Sequence, residues 1–187
     1  MPPLANGGVN TVEAKADAEA LIALFNQTFA DSENTILVGG GAEPEYLPAT
    51  DIEPARIIFR EDYAASALHE IAHWCVAGAE RRKLHDFGYW YEPDGRSAEQ
   101  QRLFEQVEVK PQALEWMFSL AAGMKFHLSA DNLGGEGGVS DSFRQAVFVQ
   151  CRRNFLDGVA ERSQRFFQAL KNRFQAGNEV LPPEQPC

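Results

Sequence analysis

The sequence predicts an α+β fold: an α-rich single domain with a small sheet and a helix that carries an HExxH motif. Its 187 residues, 44% of them hydrophobic and 24% charged, suit one globular core. Most of the chain has apolar residues at helical spacing, whereas two short β-branched runs near the N-terminal end are typical of strands. We expect one domain over residues 1–187, with flexible ends at 1–10 and 178–187.

The first part of the chain predicts one helix and two strands. Thr11 is a suitable cap for a helix that runs to about Ala30. A short strand is expected at 35–38, before a run of glycines, and a second at 56–59. Two prolines indicate a loop at 44–48 between these strands.

Two further helices begin at recognisable caps. Asp62 can cap a helix that reaches about Ala77, where Gly78 ends it. Ser97 and Gln100 have the spacing of a capping box, so another helix should begin there.

Pro111 predicts an interruption in the helix that follows the capping box. Proline has no amide proton and disfavours helical backbone in the residue before it, so we expect a kink or a restart before a helical segment at 113–122. Two more helices are expected at 141–156 and 162–174, before a proline-containing tail that begins at Gly177.

Charge and cysteine content restrict the class of protein. A formal net charge of −10 argues against nucleic-acid partners, because the surface would repel a phosphate backbone. The three cysteines, at 75, 151 and 187, match neither a disulfide framework nor a CxxC metal site, which favours a reducing compartment. We find no apolar run of membrane-spanning length and no secretory signal, so we expect a cytoplasmic protein without a membrane partner.

His69 and His73 form the clearest chemical motif. Residues four apart on a helix project from nearly the same side, so two imidazoles at this spacing can chelate one ion. Their nitrogens suit Zn, Fe, Ni or Cu. Glu70, between them, points away from the shared face but can handle protons near the metal, and it is our candidate catalytic residue.

A third protein ligand must come from elsewhere in the chain. Ala79 occupies the position at which a metzincin has its third histidine. Glu105 and Glu108 lie on one face of the capped helix, so one could bind the metal while the other orients a histidine. Of the two, Glu108 is the favoured ligand and Glu105 the next candidate. The remaining candidates are His85, Asp86, Asp94, Glu115 and His127.

Spacing alone leaves the reaction open. Zinc with two histidines and a carboxylate would suit a peptidase, in which Glu70 activates the bound water. Iron(II) with the same ligands would suit an oxygenase or hydroxylase. Tyr89 and Trp90 could line a substrate pocket, and Arg96 could anchor a carboxylate.

Several motifs together resemble the bacterial elongation factor P hydroxylase family. The resemblance covers roughly residues 53–135 and depends on long motifs in the same order, so it is far more specific than the HExxH alone. The motifs are HEIAHWC at 69–75, RR at 81–82, FGYWY at 87–91, PDGR at 93–96, FEQVEVKPQALEW at 104–116 and DNL at 131–133.

The resemblance implies a metal-dependent hydroxylase with a mononuclear non-haem metal, Fe(II) in preference to Zn, held by His69, His73 and Glu108. Its substrate would be the lysine of elongation factor P that already carries a β-lysyl group. Such a long cationic arm would be attracted to an acidic protein. The residues expected to contact it are Tyr89, Trp90, Asp94, Arg96 and Glu105, together with Glu70. The alternatives are a zinc-dependent HExxH peptidase and a non-catalytic docking module.

Overall fold

The structure, a computed structural model, describes residues 16–86, 97–129 and 139–187. Within these ranges it contains five α-helices, three strands and a short 3-10 helix at Arg81–Lys83. The predicted α-rich α+β class with a small sheet is confirmed. The elements are α1 (Ala18–Glu33), β1 (Thr35–Gly41), β2 (Glu45–Leu47), β3 (Ala55–Arg60), α2 (Ala64–Val76), α3 (Ala98–Ala121), α4 (Asp141–Asp157) and α5 (Glu161–Phe174).

The strands form one sheet in the order β1-β3-β2. β1 pairs with β3 in parallel and β2 pairs with β3 antiparallel, so that Leu37 and Tyr46 flank Ile57. β1 extends further than predicted, to Gly41, because its register shifts after Val38 and Gly40 adopts a φ of 81°, which glycine permits. The sequence did not predict β2, a three-residue edge strand within the expected loop.

An aromatic cluster joins the sheet layer to the helices. α1 packs against β1, and α2 packs against β3 and α1. The ring of Phe25 lies 5.3 Å from that of Trp74 on α2 and 5.8 Å from that of Phe166 on α5, at steep interplanar angles that favour aromatic pairs. Phe25 and Phe166 are fully buried. These contacts fix the back of α2 and leave its other face available for the site.

The predicted starts of the first two helices are wrong. α1 begins at Ala18, and its cap is Asp17, which accepts a hydrogen bond from Ala20 N at 2.9 Å; Thr11 lies outside the described residues. α2 begins after Tyr63, whose side chain makes no capping bond, so Asp62 is not the cap. A turn after β3, with Glu61 at a φ of 48°, carries the chain past Asp62 before the helix begins.

α3 is continuous through Pro111, so the predicted restart is wrong. Proline deprives the carbonyl of Val107 of its helical donor, but Val107 is half exposed, so water can reach this side of the helix. Packing against α2, α4 and α5 keeps the two halves of the helix together. The predicted capping box of Ser97 and Gln100 is confirmed.

α4 and α5 lie at the predicted positions. The last residues of the chain, after α5, return to contact the side chains of α4. Arg152 donates to the carbonyl of Pro183 at 2.9 Å, and Arg144 donates to the carbonyl of Cys187. Val180 packs against the core. None of the helices in the described ranges has the length and apolar character that a membrane span requires.

Truncation of Phe25 should destabilise the fold. We expect Phe25→Ala to lower the free energy of unfolding by about 3–5 kcal/mol, because it opens a cavity beneath α2. Urea denaturation of the metal-free protein measures this change. Leu103→Ala, on an exposed face of α3, is the control and should cost less than about 1 kcal/mol. Equal losses in the two variants would contradict the assigned core.

Candidate metal centre

The candidate site lies where α2 faces α3. His69 and His73 are one turn apart on α2, and both side chains are partly exposed. Their ring centroids are 4.6 Å apart and their Nε2 atoms 3.1 Å apart. The predicted helical spacing thus brings the two nitrogens together.

Glu108 on α3 completes a group of three potential ligands. Its Oε1 lies 3.2 Å from His73 Nε2, and its Oε2 lies 3.8 Å from His69 Nε2. One ligand atom from each of the three residues lies within 4.8 Å of the other two. The structure thus brings Glu108, the favoured candidate, towards the Nε2 atoms of both histidines.

The separations between these atoms suit a metal ion. Donor atoms about 2.1 Å from a metal stand about 3.0–3.4 Å apart in tetrahedral or octahedral geometry. The 3.1 Å between the two Nε2 atoms and the 3.2 Å from His73 Nε2 to Glu108 Oε1 fall in that range. The 3.8 Å from His69 Nε2 to Glu108 involves the other carboxylate oxygen, Oε2. Two imidazole nitrogens and a carboxylate oxygen are donors for Zn or Fe(II) rather than for Mg or Ca. The residues therefore fit the ion that the motif predicts.

Glu115 orients His69. Its Oε2 lies 2.8 Å from His69 Nδ1, and the residue is 7% exposed. A carboxylate there accepts the Nδ1 proton, which leaves Nε2 with its lone pair directed towards the metal position. The sequence offered Glu115 only as an alternative ligand. Its position seven residues after Glu108, on the same helix face, is the signal that could have indicated this supporting role.

The charges of the site depend on one another. Burial lowers the pKa of His69, but the hydrogen bond and charge of Glu115, with the charges of Glu70 and Glu108, outweigh it and raise the pKa to about 10. Burial raises the pKa of Glu108, but the charges of His73 and His69 and a hydrogen bond from Gln112 help to lower it to about 2. A metal ion must therefore displace a proton from His69.

Glu70 lies between the two histidines in sequence and is partly buried. Burial raises the pKa of its carboxyl group, and the charges of His69 and His73 oppose this effect. Glu108 and Glu115 add to the rise. A carboxyl group with a raised pKa beside the histidines is suited to hold and release a proton.

Other predicted candidates lie in different surroundings. Glu105 is buried, but it accepts hydrogen bonds from the hydroxyl of Ser140 at 2.6 Å and from the amide of Ser140 at 3.3 Å, at the start of α4. His85 pairs with Glu45 at 2.7 Å. Neither Glu105 nor His85 belongs to the group of potential ligands that His69, His73 and Glu108 form in the described part of the chain. His127 is exposed.

Four of the predicted substrate-contact residues belong to the segment 87–96. Tyr89, Trp90, Asp94 and Arg96 lie outside the described residues, so their roles remain predictions.

Comparison with known proteins gives the family. The elongation factor P hydroxylase family matches residues 24–183. This chain belongs to that family. A protein of Haemophilus influenzae named elongation factor P lysine hydroxylase is 56% identical over 163 residues, which cover 87% of this chain and 92% of the relative. The predicted resemblance is therefore confirmed and extends beyond the segment from which it was inferred, to both sides.

Glu115→Gln should weaken metal binding in this member of the hydroxylase family. The change keeps the size of the side chain but removes the charge that fixes the His69 tautomer, so we expect a loss of about 10- to 100-fold in Zn(II) affinity. Titration calorimetry on the purified protein measures it. Glu99→Gln, in the exposed first turn of α3, is the matched control. Equal affinities for the two variants would exclude a role of Glu115 in positioning His69.

Metal affinity should also fall as the pH is lowered. Because His69 has a pKa of about 10 without metal, it carries a proton at neutral pH, and the bound ion replaces that proton. The apparent association constant for Zn(II) should rise about tenfold per unit between about pH 6 and pH 8. Calorimetry in buffers of different ionisation enthalpy counts the protons released. A pH-independent affinity would show that His69 is unprotonated before the metal binds.

Proposed function

We propose that this chain hydroxylates the lysine of elongation factor P in its β-lysylated form, with a mononuclear non-haem Fe(II) ion as cofactor. The observation that carries the proposal is the convergence of His69, His73 and Glu108 from two helices, in a member of the elongation factor P hydroxylase family. The name of the Haemophilus influenzae relative supports lysine as the residue modified.

The reaction class favours iron over zinc. Two histidines and one carboxylate form the ligand set of non-haem Fe(II) oxygenases, and the same donors also bind Zn. Hydroxylation is an oxidation, and Zn has no redox chemistry. A bound iron ion would supply the redox chemistry that the insertion of an oxygen atom requires.

The residues around the ligands have distinct proposed roles. Glu115 holds the His69 ring by its Nδ1 proton, and Glu70 holds or releases a proton beside the two histidines. The net charge of −10 attracts a cationic lysyl arm. Tyr89, Trp90, Asp94, Arg96 and Glu105 are the proposed substrate contacts. We propose that the reaction takes place in the cytoplasm, where elongation factor P functions in translation.

The proposal predicts a change in the mass of elongation factor P. Co-expression of this protein with the factor and the lysyl-modifying enzymes should add one oxygen atom to the factor. His73→Ala and Glu108→Ala should abolish the addition, because each removes a ligand atom. Intact-mass analysis of the purified factor measures the product.

Two controls separate this reaction from the alternatives. With Glu99→Ala the factor should still gain one oxygen atom, since Glu99 is exposed at the start of α3. Chelated protein should regain activity with Fe(II) and not with Zn(II). Cleavage of unfolded peptides by the Zn(II) form, with no change in the mass of the factor, would identify a peptidase instead. A factor that binds but keeps its mass would indicate a docking module.

A further inference from the structure

Gln112 is a fully buried amide beside the metal ligand Glu108. It lies one turn further along α3 and is 1% exposed. Its Nε2 donates to the carbonyl of Ser129 at 2.7 Å and to Glu108 Oε2 at 3.2 Å, and its Oε1 accepts from the amide of Ser129 at 3.1 Å. Both hydrogens of the amide group and its oxygen therefore have partners.

The backbone of Ser129 determines which end of the amide faces Glu108. The amide of Ser129 can only donate, so it must meet Oε1 of Gln112, and the carbonyl of Ser129 can only accept, so it must meet Nε2. The second hydrogen of Nε2 is then directed at Glu108. A reversed amide would place an oxygen against the carboxylate and break both bonds to the Ser129 backbone.

This hydrogen bond distinguishes the two oxygens of Glu108. Oε2 accepts from Gln112 and lies 3.8 Å from His69 Nε2, whereas Oε1 lies 3.2 Å from His73 Nε2. Glu108 is itself only 6% exposed, so solvent contributes little to holding its carboxylate. The donor from Gln112 thus fixes the rotation of the carboxylate about its last bond.

We propose that Gln112 is a positioning residue: it ties Glu108 to the backbone at Ser129 and holds the carboxylate in the orientation that directs Oε1 towards His73. The inference rests on the metal centre proposed above and adds to it the residue that orients its carboxylate ligand. Glu115 and Gln112, three residues apart on α3, would then orient one ligand each, His69 and Glu108.

A purely structural role would give a different result. If Gln112 only anchored the chain at Ser129 to α3, its loss would lower the free energy of unfolding but leave metal binding by the folded protein unchanged. If it positions Glu108, its loss must alter the metal site itself. The experiment therefore needs a readout from the metal as well as from stability.

Gln112→Met keeps the length of the side chain and removes all three hydrogen bonds. We expect about a 10- to 100-fold loss in Zn(II) affinity and an altered visible absorption spectrum of the Co(II)-loaded protein, since that spectrum depends on the ligands around the ion. Gln101→Met is the matched control: Gln101 also lies on α3 and also donates to a glutamate four residues away, Glu105, at 3.4 Å. It should leave both readouts at their wild-type values.

A measurement on the wild-type protein covers the case in which Gln112→Met does not fold. The side-chain amide signals of Gln112 in a ¹H–¹⁵N spectrum should shift when Zn(II) is added, because its hydrogen-bond acceptor becomes a ligand. The signals of Gln101 should stay in place.

The outcomes separate this inference from the proposed function. Wild-type affinity and an unchanged spectrum in folded Gln112→Met, or Gln112 signals that do not move with Zn(II), would overturn the positioning role while hydroxylation of the factor could still be observed. A wild-type protein that binds neither Zn(II) nor Co(II) would overturn both proposals. Loss of affinity in Gln112→Met and not in Gln101→Met would support the inference.

Discussion

The contact between α2 and α3 is the interaction on which the site depends. α2 contributes His69 and His73, and α3 contributes Glu108 and Glu115. The ligand atoms meet because these two helices pack against each other. The opposite side of α2 is held by the aromatic cluster around Trp74, so a change in that core would move the histidines relative to the carboxylates.

α3 carries three buried carboxylates, and each of them needs polar partners. Glu105, Glu108 and Glu115 are each less than a tenth exposed, and a buried carboxylate is costly unless it is paired or hydrogen-bonded. The three are satisfied in three different ways, by Ser140, by His73 with Gln112, and by His69. The free energy of the surrounding apolar core offsets this cost. Two of the three carboxylates contact the histidines of the candidate site, and the third accepts hydrogen bonds from Ser140 at the start of α4.

The errors in the predicted fold have local causes. Pro111 has a strong propensity to break a helix, but the packing of α3 against three other helices outweighs it. Asp62 is a good cap by residue type, yet the turn at Glu61 places it before the helix begins. β2 has only three residues between two prolines, which is too short for a strand pattern in the sequence. Its stability comes from pairing with β3.

The sequence by itself determined the elements with long apolar periodicity and the site groups that depend on helix geometry. His69 and His73 must lie on one face because the α-helix repeats every 3.6 residues, and the same repeat placed Glu105 and Glu108 on one face as candidate ligands. Only the tertiary structure decided which partner each buried polar group takes. Glu115 meets His69 across 46 residues of chain, and Gln112 meets Ser129 across 17. Such pairs are decided by the packing of whole elements, which no local pattern encodes.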